Sequence, residues 1–207
     1  MPISPLPESE AADKAAQTYD RLKDMLGADA VPEAFLTLGR APALLGDFYM
    51  NFKKFVWKEG KLDRRTKLLV ALSVALKEAS GPWTEFYTGL LKEEGVTEEE
   101  ITDVAALVAT NATYNTFFKF RKLSGTDLFD GLPVGLRAHA FQATSFDEKT
   151  VELINTAISD LNACEPCVAG HVKKARALGL EPEAILEAIQ VTAVVYSGVQ
   201  FTKSAQA

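Results

Sequence analysis

The chain has 207 residues, 47% of them hydrophobic, and a mean hydropathy of +0.01, a length and balance that enclose one large or two small cores and exclude a disordered protein. Its net charge of −6, from 22 basic and 28 acidic side chains with no basic run, argues against nucleic acid as a partner. Two cysteines are too few for the disulfide framework of a small secreted domain; a close pair points instead to metal or redox chemistry.

The first 15 residues carry prolines and acids but no basic segment leading into an apolar stretch, so no signal peptide is expected and the protein is placed in the cytoplasm. Apolar runs such as 104–109 and 193–196 fall far short of the roughly 20 residues that cross a bilayer, so no membrane partner is expected. Apolar residues recur at three- and four-residue spacing in Tyr19, Leu22, Met25 and Leu26 and again in Leu68, Leu69, Leu72 and Leu76, while strand alternation is absent. The pattern predicts helices over 9–27, 43–58, 63–79, 82–94, 98–121, 133–143, 147–161, 165–178 and 182–204. Thr97 with Glu100, and Ser145 with Glu148, fit capping boxes, and Gly95 and Gly179 read as helix stops. The fold class is all-α.

The loop around 124–132 separates two halves that read as a duplication. Adding 84 to a position carries Thr66 onto Thr150, Pro82 onto Pro166, Gly95 onto Gly179, Ile101 onto Ile185 and Phe117 onto Phe201, without a gap from about Arg64 to Phe120. The expected organisation is a single internally duplicated helical domain: a helical extension (1–42), a degenerate repeat (43–123) and an active-site repeat (127–207). In that register Cys164 faces Ser80, Cys167 faces Trp83, His171 faces Tyr87 and Glu152 faces Leu68, so thiol chemistry belongs to the second half alone.

The segment holding the cysteines runs Cys164-Glu165-Pro166-Cys167-Val168-Ala169-Gly170-His171. Pro166 fits the first turn of a helix, which puts Cys164 near the N-cap and Cys167 inside the first turn, where free amides and the helix dipole favour a thiolate. His171 lies one turn beyond Cys167 on the same face, a base beside a nucleophile. Glu152, on the preceding helix, is placed to fold back and orient the imidazole, whereas Glu165 is expected to point to solvent. Three readings stay open on the residues: a buried inert pair, a zinc site of Cys164, Cys167, His171 and Glu152, and a redox dithiol, of which the last is favoured. His139 aligns with Phe55 and reads as a partly buried structural histidine. Phe48, Tyr49, Phe52, Phe55 and Trp57 form an aromatic cluster read as packing, against the core or another subunit, rather than as a substrate pocket.

A Glu, eleven residues, CxxC, three residues and His, here Glu152, Cys164, Cys167 and His171, resembles the alkyl hydroperoxidase D-like branch of the carboxymuconolactone decarboxylase superfamily. The resemblance covers roughly residues 43–205 and implies an internally duplicated all-helical bundle of that type with one site per chain. It also implies a thiol-dependent peroxidase without a bound cofactor or metal, in which Cys167 attacks the hydroperoxide, Cys164 resolves the sulfenic acid, and Glu152 and His171 relay protons. A lipoyl-bearing or thioredoxin-like protein would be the dithiol reductant, and the assembly a homo-oligomer. Pro166 departs from the family pattern, whose best-known peroxidases carry His there. Helix-dipole reasoning alone favours the N-terminal Cys164, expected to be the more exposed, as the nucleophile; His171, acting on Cys167 specifically, favours Cys167. A thiol–disulfide exchange or redox-sensing module is the alternative, and lactone decarboxylation, which needs no CxxC, is disfavoured.

Overall fold

Asp63 and Asp147 each start a helix by accepting the amide of the residue three positions on, Thr66 at 2.7 Å and Thr150 at 2.9 Å. These two caps open equivalent helices in a computed structural model that describes residues 3–206; residues 1, 2 and 207, at the ends of the predicted extension and second repeat, lie outside the described residues. Among the described residues the regular elements are all helical: α1 (Asp13–Leu26), α2 (Glu33–Leu36), α3 (Pro42–Asn51), α4 (Arg64–Lys77), α5 (Gly81–Glu93), α6 (Glu98–Leu123), α7 (Glu148–Leu161), α8 (Glu165–Ala177) and α9 (Pro182–Gln206). A π-helical turn at Phe52–Trp57 continues α3. The bounds of α4 and α5, moved by 84, are those of α7 and α8, and α6 and α9 start in the same register. Even the tight turns repeat, through left-handed Ala79 and Ala163, both at φ 52°.

The halves are interleaved. Helices α4 and α7 pack on each other at the centre; α4 lies against α9 of the other half as well as its own α6, and α7 against α6 of the other half as well as its own α9. Each long third helix therefore covers the first helix of the opposite repeat. Helix α9 is long and apolar enough to span a bilayer by composition, although no single run of its sequence suggests it; half of that stretch is buried inside the protein.

In the first half Trp83, fully buried where Cys167 stands in the second, fills the equivalent of the thiol site. Its indole N–H donates to Thr202 at 3.1 Å, and its ring packs among Phe35, Phe48 and Tyr87. Phe48, Tyr49 and Phe52 are buried in this core, with Phe55 and Trp57 packed at its edge. The aromatic cluster is thus packing, and gives no support to an exposed subunit contact.

Three expectations are corrected. The helix over 133–143 is absent: Gly125, Gly131 and Gly135 hold positive φ, Pro133 follows Leu132, and the segment crosses the surface as a strap with one 3-10 turn at His139–Phe141. Leu132 and Leu136, which align with the buried Phe48 and Phe52, stay exposed, so a helix here would bury no apolar face. His139 is exposed on that turn rather than partly buried. Ser145 is not a cap; its N–H and hydroxyl both donate to the Asp103 carboxylate at 2.8 Å, pinning the strap to α6, while Asp147 takes the capping role. The Thr97–Glu100 capping box and the stops at Gly95 and Gly179 form as expected.

Candidate active site

Helix α8 begins as its sequence dictates: Cys164 is the N-cap residue, Pro166 occupies the first turn and Cys167 follows it. The two cysteines are joined by a disulfide, with Cα atoms 5.3 Å apart. Cys164 is fully buried and Cys167 is 8% exposed, so the expectation that Cys164 is the more accessible thiol is reversed. The turn through Asn162 and left-handed Ala163 holds the N-cap against the end of α7, where the Cys164 amide donates to the Ser159 carbonyl at 3.0 Å. Glu165 points to solvent and pairs with Lys122 at 3.1 Å.

Cys167 and His171, one helical turn apart, line one cavity of about 260 Å³. Tyr114, Asn115 and Phe118 of α6, Phe141 of the strap, and Pro166 and Gly170 complete its wall. Phe141 meets the His171 ring edge-on at 6.2 Å, and the Tyr114 hydroxyl donates to the Leu136 carbonyl at 2.8 Å, which fixes the strap over the site.

Behind the imidazole stands Glu152 on α7, with 3% of its side chain exposed. His171 Nδ1 is 2.8 Å from Glu152 Oε2, and Lys174 Nζ is 3.0 Å from Oε1. Burial pushes this carboxyl up, but the hydrogen bonds and charges of His171 and Lys174 outweigh it and hold the group below the ordinary carboxylate value. An ionised Glu152 accepts the Nδ1 proton, leaving Nε2 as the basic nitrogen of His171. The four expected residues are thus brought together, Glu152 through His171. The Glu152 oxygens are taken up by His171 and Lys174, and among the described residues no group of three or more His, Cys, Asp or Glu side chains is poised around one point with the cysteines joined as a disulfide.

Sequence reasoning missed Lys174 and the wall supplied by α6 and the strap. The duplication held a signal for both, since Lys174 aligns with Leu90 and Asn115 with Val199, polar residues against apolar ones.

A sequence model described as the Carboxymuconolactone decarboxylase family matches residues 43–123 and again residues 129–207. The alkyl hydroperoxide reductase AhpD of Mycobacteroides abscessus is 35% identical over 109 residues, 51% of this chain and 61% of that protein. AhpD of Anaeromyxobacter dehalogenans is 30% identical over 97 residues, 47% of this chain and 52% of that protein. The chain spans about half the length of the curated relatives it matches. An AhpD core of known structure, an uncharacterized peroxidase-related protein from Ralstonia eutropha JMP134, shares the fold with a TM-score of 0.66 at 14% identity, over 98% of this chain and 88% of that one. With both of its repeats matched, the chain belongs to the carboxymuconolactone decarboxylase family.

Proposed function

We propose that the protein is a thiol-dependent peroxidase that reduces hydroperoxides through Cys167 and Cys164, with Glu152 and His171 relaying protons. The observation that carries this reading is the shared cavity: the more accessible sulfur and a Glu152-oriented imidazole border the same small, largely apolar space. The AhpD names of the relatives support it.

In the reduced protein His171 takes the Cys167 thiol proton. The thiolate attacks the terminal oxygen of ROOH; an S–O bond forms, the O–O bond breaks, and the leaving alkoxide takes the proton from His171 as ROH. The Cys164 thiol then attacks the Cys167 sulfenic acid, forming the S–S bond and expelling the hydroxyl, with the thiol proton, as water. An external dithiol reduces the disulfide to close the cycle. The small, largely apolar cavity beside Cys167 is of a size to admit a small organic hydroperoxide.

The test is rapid mixing of the reduced, desalted protein with tert-butyl hydroperoxide while thiols are counted. Oxidation far faster than that of free cysteine, abolished in Cys167→Ser, is expected. Full activity in Cys167→Ser, or a wild-type rate equal to that of free cysteine, overturns the reading. Rapid exchange with a protein disulfide in the latter case would identify a thiol–disulfide exchange module.

A further inference from the structure

Between α6 and α7 runs a chain of buried amides and a hydroxyl in which every member donates to the next. Asn162 Nδ2 donates to Asn115 Oδ1 at 2.9 Å, Asn115 Nδ2 to Ser159 Oγ at 3.0 Å, Ser159 Oγ to Asn111 Oδ1 at 3.4 Å, and Asn111 Nδ2 to Asn155 Oδ1 at 2.7 Å. Its direction is fixed at Asn111, whose Nδ2 also donates to the Leu107 carbonyl at 2.9 Å; a reversed amide would set oxygen against oxygen there. Asn111, Asn115, Asn155 and Ser159 are each 1% exposed or less.

The fold does not require this chain. In the first repeat Asn155 and Ser159 are matched by Ala71 and Ala75, and Asn111 and Asn115 by Val195 and Val199, residues that pack the same helix crossing with apolar contacts. Buried amides are expensive unless satisfied, and the Asn155 Nδ2 at the end of the chain has no partner among the described residues. The expense is borne only beside the thiols, and Asn115 is the one member of the chain that borders their cavity.

One Nδ2 hydrogen of Asn115 goes to Ser159; the other has no acceptor among the described residues. The rest of the wall offers little else. Phe118, Phe141, Pro166 and Gly170 bring no polar side chain, and the Tyr114 hydroxyl is spent on Leu136. A peroxide split here leaves an alkoxide in largely apolar surroundings, where an uncompensated charge is costly and a fixed donor is effective.

We infer that Asn115, locked by Asn162 and Ser159, donates its second amide hydrogen to the leaving oxygen of the hydroperoxide, as a residue that touches the reacting atoms. This rests on the peroxidase reading. Proton transfer stays with His171; Asn115 exchanges no proton or electron, but holds the oxygen on which charge develops as the O–O bond breaks.

The test compares two reactions of the same sulfur in Asn115→Leu, which removes the donor at similar volume. Oxidation of Cys167 by tert-butyl hydroperoxide is expected to slow about 100-fold, the usual effect of deleting one such donor. Alkylation of the reduced protein by iodoacetamide, which tracks thiolate nucleophilicity and generates no alkoxide, should stay near wild type. Asn115→Ser, with a shorter donor, should recover part of the peroxide rate. An unchanged peroxide rate in Asn115→Leu overturns the inference, and so does a matching fall in both reactions, which would mark Asn115 as merely supporting Cys167. Should Asn115→Leu fail to fold, Ser159→Ala loosens the same amide and is read by the same pair of rates, with the same outcomes. A wild-type protein no faster than free cysteine defeats the peroxidase reading itself, whereas a fast wild type with an equally fast variant defeats only the role of Asn115.

Discussion

Glu152 works from a site almost closed to solvent, and its ionisation depends on the company it keeps. Burial raises its proton affinity, and the side chains of His171 and Lys174 reverse the effect. Replacing Lys174 with Met removes one of the two groups that hold the carboxyl down, so Glu152 protonates at a higher pH. The acid limb of the proposed peroxidase activity is then expected to move upward in pH, with little change on its plateau. A pH–rate profile measures this, and an unmoved acid limb would show that Lys174 does not tune Glu152. The proximity of Cys164, Cys167 and His171 was legible in the sequence because their spacing is helical, and that of Glu152, on the preceding helix, because the short turn through Asn162 and Ala163 folds α7 back on α8. Lys174 was not: a lysine on an exposed helix face looks like any solvated charge until the packing of α8 on α7 supplies its partner.

At the scale of elements, the six helices α4 to α9 were legible to within a residue or two, since apolar periodicity and the Pro and Gly punctuation agree along them. The strap was not, because Leu132 and Leu136 have helical spacing but no helix surface to meet, and local sequence does not reveal which apolar face will find a partner. Close approach between helices is equally hidden. A Cβ on Gly198, within α9, would lie 2.7 Å from the Phe48 ring and 2.8 Å from the Trp83 indole, both held on several sides by other rings. Gly198→Ala is therefore expected to destabilise the protein by about 1–3 kcal/mol. Gly89→Ala, where a Cβ meets nothing within 4 Å in the interior of α5, should stabilise it by about 0.5–1 kcal/mol. Urea unfolding of the two variants measures both; a stabilised Gly198→Ala would mean that α9 can draw back from Trp83 without loss.

For the whole molecule, the junction of the halves includes a titratable clasp. Glu78, at the end of α4, accepts from Gln200 at 3.0 Å and Lys203 at 2.7 Å on α9, and Lys77 also pairs with it. Burial pushes its carboxyl up, yet the lysines prevail and its pKa lies below the ordinary value. A carboxyl depressed by folding stabilises the native state above its unfolded-state pKa of about 4.3 and ceases to do so as the pH falls through the lower native value. Glu78→Gln is thus expected to lower Tm near neutrality and to flatten the fall in Tm below about pH 5, as read by thermal melts across pH. Equal slopes for variant and wild type would place the acid sensitivity elsewhere.

The crossing of α6 over α7 also bears on how the chemistry is inherited by parts of the chain. The cavity takes Tyr114, Asn115 and Phe118 from one half and Cys167 and His171 from the other. A polypeptide severed within the glycine-bearing strap would divide that wall between two fragments, each with the opposite repeat's helix stripped from its core. On the proposed reading, peroxide reactivity would then reappear only as the pieces recombine, which makes the thiol site a built-in reporter of complementation between the two repeats.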